Sequence, residues 1–187
     1  MKKRKKAFTL LELIITLSIT VIVLGIIYTF FISNIKTLIT TEINTDLQEE
    51  SQEIQSELLK YGSEATRISS LNDSDLKEDN KIFYKDILSD TGKIEVNEIV
   101  FNVQGDKYKF QFDEDKKTLY LIKNSKDSKV LSNNVIDFKI RPLDYRMNSE
   151  GSFYETNGLE FFIILNIKKG YSDLSIPVST IVKFRNR

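Results

Sequence analysis

A long apolar stretch near the start of the chain limits its possible folds more than any other feature. Residues 8–35 are a run of 28 residues in which Glu12 is the only charged side chain. As a helix this run would be about 42 Å long, enough to cross the roughly 30 Å hydrocarbon core of a bilayer. It is too long for an ordinary secretory signal peptide, and no small-x-small cleavage site follows it. The pattern predicts a single-pass membrane helix.

Five basic residues precede this stretch: Lys2, Lys3, Arg4, Lys5 and Lys6. Positive residues tend to stay in the cytoplasm, so the part of the chain after residue 35 is expected outside. The chain has 27 basic and 27 acidic residues, so the part without these five is net acidic. An acidic body binds nucleic acid poorly, and no specific nucleic-acid partner is predicted.

Glu12 is the unusual residue of the apolar stretch, because a charge in hydrocarbon costs roughly 2 to 4 kcal/mol or more. The segment KKAFTLLE, residues 5–12, resembles the processing site of type IV prepilins. In that family a dedicated membrane peptidase cuts between a basic leader and a Phe, then methylates the new amine. The resemblance implies cleavage between Ala7 and Phe8 and N-methylation of Phe8. The family usually has Gly before the cut, but Ala7 is also small, and we expect cleavage.

The resemblance also implies an assembly role for Glu12, which matches the characteristic Glu at the fifth position of mature pilins. Cleavage would create a cationic amine on Phe8, one helical turn from Glu12, where the helix dipole also favours a carboxylate. In the family the Phe8 amine of a neighbouring subunit would be a second partner. Because an unpaired buried charge is much costlier than a paired one, Glu12 is expected to promote docking into a filament.

Partners and location follow from the same resemblance. The expected partners are other pilin subunits through the N-terminal helix, the prepilin peptidase, the membrane platform for pilus assembly, and the lipid bilayer before assembly. The protein would lie in the inner or cytoplasmic membrane and then in a cell-surface filament. The expected division is a removed leader at 1–7, a transmembrane and filament-core helix at 8–35, an amphipathic continuation at 36–62, and a β-rich head at 63–187.

Beyond residue 35 the hydrophobic period predicts the fold. Apolar residues continue at helical spacing to Tyr61, and Gly62 is predicted to end the helix. Because the acidic residues of this part are not balanced by nearby lysines and the heptads are few, packing on the chain's own sheet is favoured over a coiled coil. Residues 63–92 are predicted to be a connector with a short element at 82–88.

The period then changes to two, with Ile136, Phe138 and Ile140 expected on one face, which indicates five to seven antiparallel strands. Pro177 suggests that the last strand is at an edge or carries a bulge. The predicted fold is α+β and pilin-like: one long helix packed on an antiparallel sheet.

Three polar segments are candidate sites. Asp113, Glu114 and Asp115 are interpreted as a solvated turn, not a cation site. The alternation from Lys107 to Phe110 is interpreted as a strand with its lysines in solvent. The long loop 142–158 is a possible protein contact, and the residues proposed for that contact are Tyr145, Arg146, Phe153 and Tyr154.

The chain has no Cys and no His, which excludes the usual zinc, haem and iron–sulfur sites and any Ser-His or Cys-His relay. No phosphate-binding loop or paired-carboxylate arrangement is visible. We therefore expect neither an enzyme nor a cofactor.

The final segment, STIVKFRNR, resembles the C-terminal strand of minor pilins of the PilW and pseudopilin J class. Many major pilins have a C-terminal Cys pair, which this chain lacks. Three interpretations remain open. They are a minor pilin that helps to initiate or assemble a type IV pilus, a pseudopilin of a DNA-uptake or type II secretion system, and a plain membrane-anchored extracellular binding protein.

Overall fold

A computed structural model describes residues 9–87, 91–145 and 150–185. The chain divides into two compact units, Met1–Glu42 and Ile43–Arg187. The first unit contains the N-terminal part of helix α1, Leu10–Glu64, and the second contains the rest of this helix. No Pro interrupts the helix, and Gly25 and Gly62 are its two glycines, so its sequence offers no strong internal stop.

The described part of the second unit also contains ten strands and one short helix. In chain order these are β1 Ile68–Leu71, β2 Ser74–Asp75, α2 Tyr84–Ile87, β3 Ile94–Glu95, β4 Glu98–Val103, β5 Asp106–Asp113, β6 Thr118–Lys123, β7 Asp127–Ser132, β8 Val135–Pro142, β9 Gly158–Lys169 and β10 Ser172–Lys183.

The strands form two antiparallel sheets, with order β2-β1-β4-β5-β6-β7 in one and β10-β9-β8-β3 in the other. The predicted α+β fold is confirmed. The segments LEFFIILNI and LSIPVSTIVKF, which the sequence predicts to form a closing hairpin, correspond to the paired strands β9 and β10. Ten strands exceed the expected five to seven. The additional strands are short or polar, as in the hairpin β1–β2, and lack the period-two hydrophobic pattern on which the prediction depended.

The second half of α1 packs against the sheets through one face. Its buried residues, Ile43, Leu47, Ile54, Leu58 and Gly62, recur at spacings of four or seven. Burying each of the large apolar side chains contributes about 1.5 to 3 kcal/mol relative to its exposure. The predicted packing of this stripe on the chain's own sheets is therefore confirmed.

Aromatic side chains join the two sheets in the core. Phe101 of β4 lies with its ring centroid 6.0 Å from Phe110 of β5 and 6.4 Å from Phe161 of β9. Phe138 of β8 stacks on Phe161, with centroids 6.2 Å apart. All four rings are buried. The core thus lies between the sheets.

Polar contacts also hold α1 on β7. Asn134, which follows this strand, donates to Oε1 of Glu50 at 2.8 Å, and Ser132 donates to the other oxygen of the same carboxylate. The Nζ of Lys129 lies 2.6 Å from Glu57 and 2.9 Å from Glu53. The sequence has no lysines in α1 that balance these acidic residues. Their carboxylates instead bond to Ser132 and Lys129 of β7.

Two predictions about the side chains of this unit were wrong. Gly62 does not end α1, which continues to Glu64; it is buried where the helix approaches Val182 of β10 too closely for a Cβ. Ile136 does not share a buried face with Phe138 and Ile140. The register of β8 against β9 shifts between Val135 and Asp137, and this irregularity leaves Ile136 41% exposed.

Two further predictions agree with the structure. Pro177 lies in β10, an edge strand of the four-stranded sheet. In the described part of the chain, no strand of the sheet pairs with the outer side of β10, so a residue without a backbone N–H is tolerated there. The connector 63–92 contains the predicted short element, α2 at Tyr84–Ile87. The connector also contains the hairpin β1–β2, whose Asn72 and Asp73 both have positive φ, as a tight two-residue turn requires.

Candidate functional site

The apolar part of α1 is the first candidate site. Most of its large side chains are exposed, although they belong to the most hydrophobic segment of the protein. The exposed fraction is, for example, 80% for Leu10 and 61% for Phe31. By length and composition, α1 is the one helix in the described residues that could cross a membrane. A surface of this kind needs a nonpolar environment, either lipid or other helices.

The hydroxyl groups within this segment are compatible with such an environment. Thr16 donates to the carbonyl of Glu12 at 2.9 Å, Ser18 to that of Ile14 at 2.9 Å, and Thr20 to that of Thr16 at 2.8 Å. A hydroxyl that bonds to its own helix needs no partner from water, so its transfer into hydrocarbon costs less free energy.

Glu12 lies in the first turn of α1 and forms a capping box with Thr9. The Thr9 backbone N–H donates to Oε2 of Glu12 at 2.9 Å, and the Thr9 hydroxyl donates to the same oxygen at 3.0 Å. In return, the Glu12 backbone N–H donates to the Thr9 hydroxyl at 3.3 Å. This reciprocal pair satisfies two amide groups that the start of a helix leaves without helical partners.

The capping box leaves the Glu12 carboxylate with its negative charge. Both hydrogen bonds from Thr9 fall on Oε2, and both donors are neutral, so the net negative charge remains. The helix dipole lowers the free energy of that charge but does not cancel it. The carboxylate is thus held at the start of an apolar helix, where an ammonium group could pair with it.

Sequence analysis identified Glu12 but missed Thr9. The signal was available, because Thr9-Leu10-Leu11-Glu12 has the Ser/Thr-x-x-Glu spacing of a capping box directly before an apolar run. Ala7, Phe8 and the basic residues Lys2 to Lys6 lie outside the described residues, and so their predicted roles in processing have no structural account.

The loop proposed as a protein contact divides into different environments. Phe153 is fully buried and meets Tyr84 edge to face at 5.2 Å, so it is a core residue and not a contact residue. Tyr154 is half-buried, and its hydroxyl accepts a hydrogen bond from Arg67. Tyr145 is also half-buried and lies 6.2 Å from Tyr84, while Arg146 lies outside the described residues.

This loop is held by polar bonds at both ends. Asp144 accepts hydrogen bonds from the hydroxyl of Tyr84 at 2.8 Å and from that of Thr156 at 2.9 Å. Lys81 forms an ion pair of 2.6 Å with Glu155. The loop therefore has a defined conformation in its described part, despite its length.

The other polar segments are part of the surface structure of the sheets. Lys116 donates to Asp113 at 2.8 Å from its side chain, and this bond lowers the pKa of the Asp113 carboxyl. Within the described ranges, no group of three or more acidic residues is arranged to hold a metal ion. In the segment 107–110, Phe110 is buried, Lys109 pairs with Glu98 at 3.0 Å, and Tyr108 stacks on Tyr61 with centroids 3.9 Å apart.

A family model described as the prokaryotic N-terminal methylation motif matches residues 2–28. Neither a curated protein nor a solved structure matches the chain. The matched segment contains the basic leader, Thr9, Glu12 and most of the exposed apolar helix. The chain therefore carries an N-terminal methylation motif at residues 2–28, which supports a type IV pilin-like prepilin.

Proposed function

We propose that this chain is a minor structural subunit of a type IV pilus that helps to initiate or assemble the filament. Prepilin peptidase would cut between Ala7 and Phe8 and methylate Phe8. The mature subunit would leave the membrane by inserting its apolar helix among the helices of other subunits. The observation that carries this proposal is Glu12, which is held by Thr9 at the start of an exposed apolar helix with no further charge before Lys36.

The assembly role of Glu12 follows from its remaining charge. In lipid, the carboxylate has two neutral donors from Thr9 but still costs free energy as an ion. The amine created on Phe8 would neutralise it, either within the subunit or from the neighbouring subunit during insertion. A filament that supplies this ammonium lowers the free energy of the inserted helix, which favours polymer over isolated anchor.

The proposed division of the chain follows this role. Residues 1–7 would be removed, residues 8–35 would form the filament core, the rest of α1 would continue the helix to Glu64, and the residues after it would form the head. The low-copy role is supported by the likeness of STIVKFRNR to minor pilins and by the absence of Cys.

The intact mass of the protein from its native membrane tests the processing step. A chain that begins at methylated Phe8 supports a filament subunit, whereas a retained basic leader would support a plain anchored binding protein.

A second measurement tests the minor role. Quantitative mass spectrometry of sheared filaments should find this subunit far below the bulk subunit, and its deletion should reduce piliation. Normal piliation together with lost DNA uptake or lost secretion would instead identify a pseudopilin.

A further inference from the structure

The hairpin β9–β10 ends in an exposed aromatic tip. Its two strands of 12 residues are joined by the turn residues Gly170 and Tyr171, and Gly170 has a φ of 61°, which a tight turn needs at that position. Tyr171 is 96% exposed, and no other large hydrophobic side chain in the described ranges is as exposed. Lys168 and Lys169 precede the turn and are also exposed. The two paired strands and the turn between them carry these three side chains, here called the hairpin tip.

Contacts within the second unit show at which end the hairpin tip lies. Asn134 donates from its side chain to Glu50 of α1 at 2.8 Å, and its carbonyl accepts from the Asn166 N–H at 2.8 Å. Asn166 of β9 is therefore at the level of Glu50. Gln55 also contacts Ser179, and Gly62 contacts Val182, so α1 and β10 run in the same direction.

The remaining distance to the tip is set by strand geometry. Gly170 is four residues beyond Asn166, or about 13 Å at the rise of a strand. Ile43 is seven residues before Glu50, or about 10 Å at the rise of a helix. The hairpin tip consequently lies at the end of the second unit where the chain enters it, at Ile43.

In the sequence, that end of the unit follows the apolar stretch after a short interval. The stretch ends at Ile35, eight residues before Ile43, and eight helical residues span about 12 Å. The headgroup region outside the hydrocarbon core is about 5 to 8 Å thick on each side. A long side chain at this end of the unit can therefore reach the headgroups.

We propose that Lys168, Lys169 and Tyr171 contact the lipid headgroups on the outer face of the membrane before the subunit enters a filament. This inference rests on the membrane-anchored state of the proposed function. Tyrosine is enriched at membrane interfaces because its ring prefers the apolar side and its hydroxyl the wet side. Lysines near the surface attract anionic lipids. Lys168 also lies 3.9 Å from Asp173, a loose ion pair that leaves its ammonium largely exposed.

The absence of Trp from the sequence allows a direct test. The Tyr171→Trp variant of the full chain carries one indole, at the hairpin tip. It is reconstituted into vesicles of phosphatidylcholine with phosphatidylglycerol, with and without brominated acyl chains that quench indole fluorescence. We expect a blue-shifted emission maximum and a loss of emission with brominated lipid. Both effects should weaken when phosphatidylglycerol is omitted or when Lys168→Gln and Lys169→Gln are added.

Lys126→Trp is the matched control, because it also lies in an exposed hairpin turn. Its hairpin, β6–β7, turns at the opposite end of the unit, since Lys129 contacts Glu57 and Ser132 contacts Glu50. We expect emission typical of water and no quenching for this variant, which shows that an indole by itself does not draw the head to lipid.

The outcomes separate this inference from the proposed function. A protein that does not float with the vesicles contradicts membrane anchoring itself. A Tyr171→Trp protein that floats but whose indole is not quenched overturns the headgroup contact alone. A blue shift that grows with protein density, without quenching by lipid, also overturns it and identifies a second copy of the chain as the occupant.

Discussion

Gly62 of α1 and Val182 of β10 approach so closely that a Cβ at position 62 would overlap the Val182 side chain. The glycine is therefore needed for contact between the helix and the edge strand, although its sequence position after a long apolar pattern suggested a helix stop. Leu58, one turn before Gly62 in α1, is also buried.

The Gly62→Ala substitution is expected to destabilise the second unit. Alanine favours a helix by about 1 kcal/mol, but overlap in a packed core costs about 1 to 3 kcal/mol, so the loss should be about 1 kcal/mol. Urea unfolding of the full chain in detergent measures it. Gly25→Ala is the control, because no atom lies within 4 Å of its added Cβ. Equal midpoints for the two variants would contradict the contact role.

Substitutions at Glu12 and Thr9 can separate helix capping from charge pairing. Glu12→Gln keeps an acceptor for the Thr9 amide but removes the charge, whereas Thr9→Ala weakens the cap by about 1 kcal/mol and keeps the charge. If Glu12 docks through its charge, Glu12→Gln should impair incorporation into filaments as much as Glu12→Ala does. Thr9→Ala should incorporate more efficiently than either. Incorporation is measured in a strain that lacks the wild-type protein, and normal incorporation of Glu12→Gln would disprove docking by charge.

Removal of Lys129 should destabilise the packing of α1 on β7. Its ammonium contacts Glu53 and Glu57, and Oε2 of Glu57 is already buried without a hydrogen-bond partner. Lys129→Met should therefore lower the free energy of unfolding by about 1 to 3 kcal/mol, measured in urea. Lys77→Met, which removes an exposed pair with Asp75 at 3.9 Å, is expected to change it by less than about 0.5 kcal/mol. A larger effect at Lys77 than at Lys129 would count against this role of Lys129.

The contribution of Lys129 should also depend on pH. The carboxylates of Glu57 and Glu53 raise the pKa of Lys129 above its ordinary value of 10.5. A raised pKa in the folded state means that the stabilisation is fully present below the unfolded-state pKa and is lost as the pH rises through the folded-state pKa. The difference in unfolding free energy between wild type and Lys129→Met should thus be constant near neutral pH and shrink above pH 10.5. A difference that already falls between about pH 7 and pH 9 would contradict this assignment.

Two aromatic residues of the loop 142–158 should respond differently to truncation. Phe153 is fully buried, so Phe153→Ala should cost about 3 to 5 kcal/mol of unfolding free energy. Tyr154 is half-buried against Arg67, and Tyr154→Ala should cost much less. If Tyr154 is a contact residue, its substitution should reduce filament assembly or partner binding while the urea midpoint remains close to wild type. Unchanged assembly and binding would remove that role.

The local parts of the fold were predictable because their signals lie in contiguous residues. The membrane-length helix follows from the unbroken apolar run, and the closing hairpin follows from the apolar segments LEFFIILNI and LSIPVSTIVKF and the turn between them. The hairpin β1–β2 was missed although Asn72-Asp73 is a turn signal, because its strands are short and largely polar. The capping box was also missed, although the spacing of Thr9 and Glu12 is a local signal.

The sequence by itself determined the apolar helix, its single carboxylate, the processing motif and the α+β class, because each depends on hydrophobic period or on neighbouring residues. Only the tertiary structure decided which strands share a sheet, that Gly62 is a contact, that Ile136 is exposed and Phe153 buried, and at which end Tyr171 lies. These features depend on contacts between residues far apart in the chain. Such contacts follow from how the helix and both sheets pack together, which no local pattern encodes.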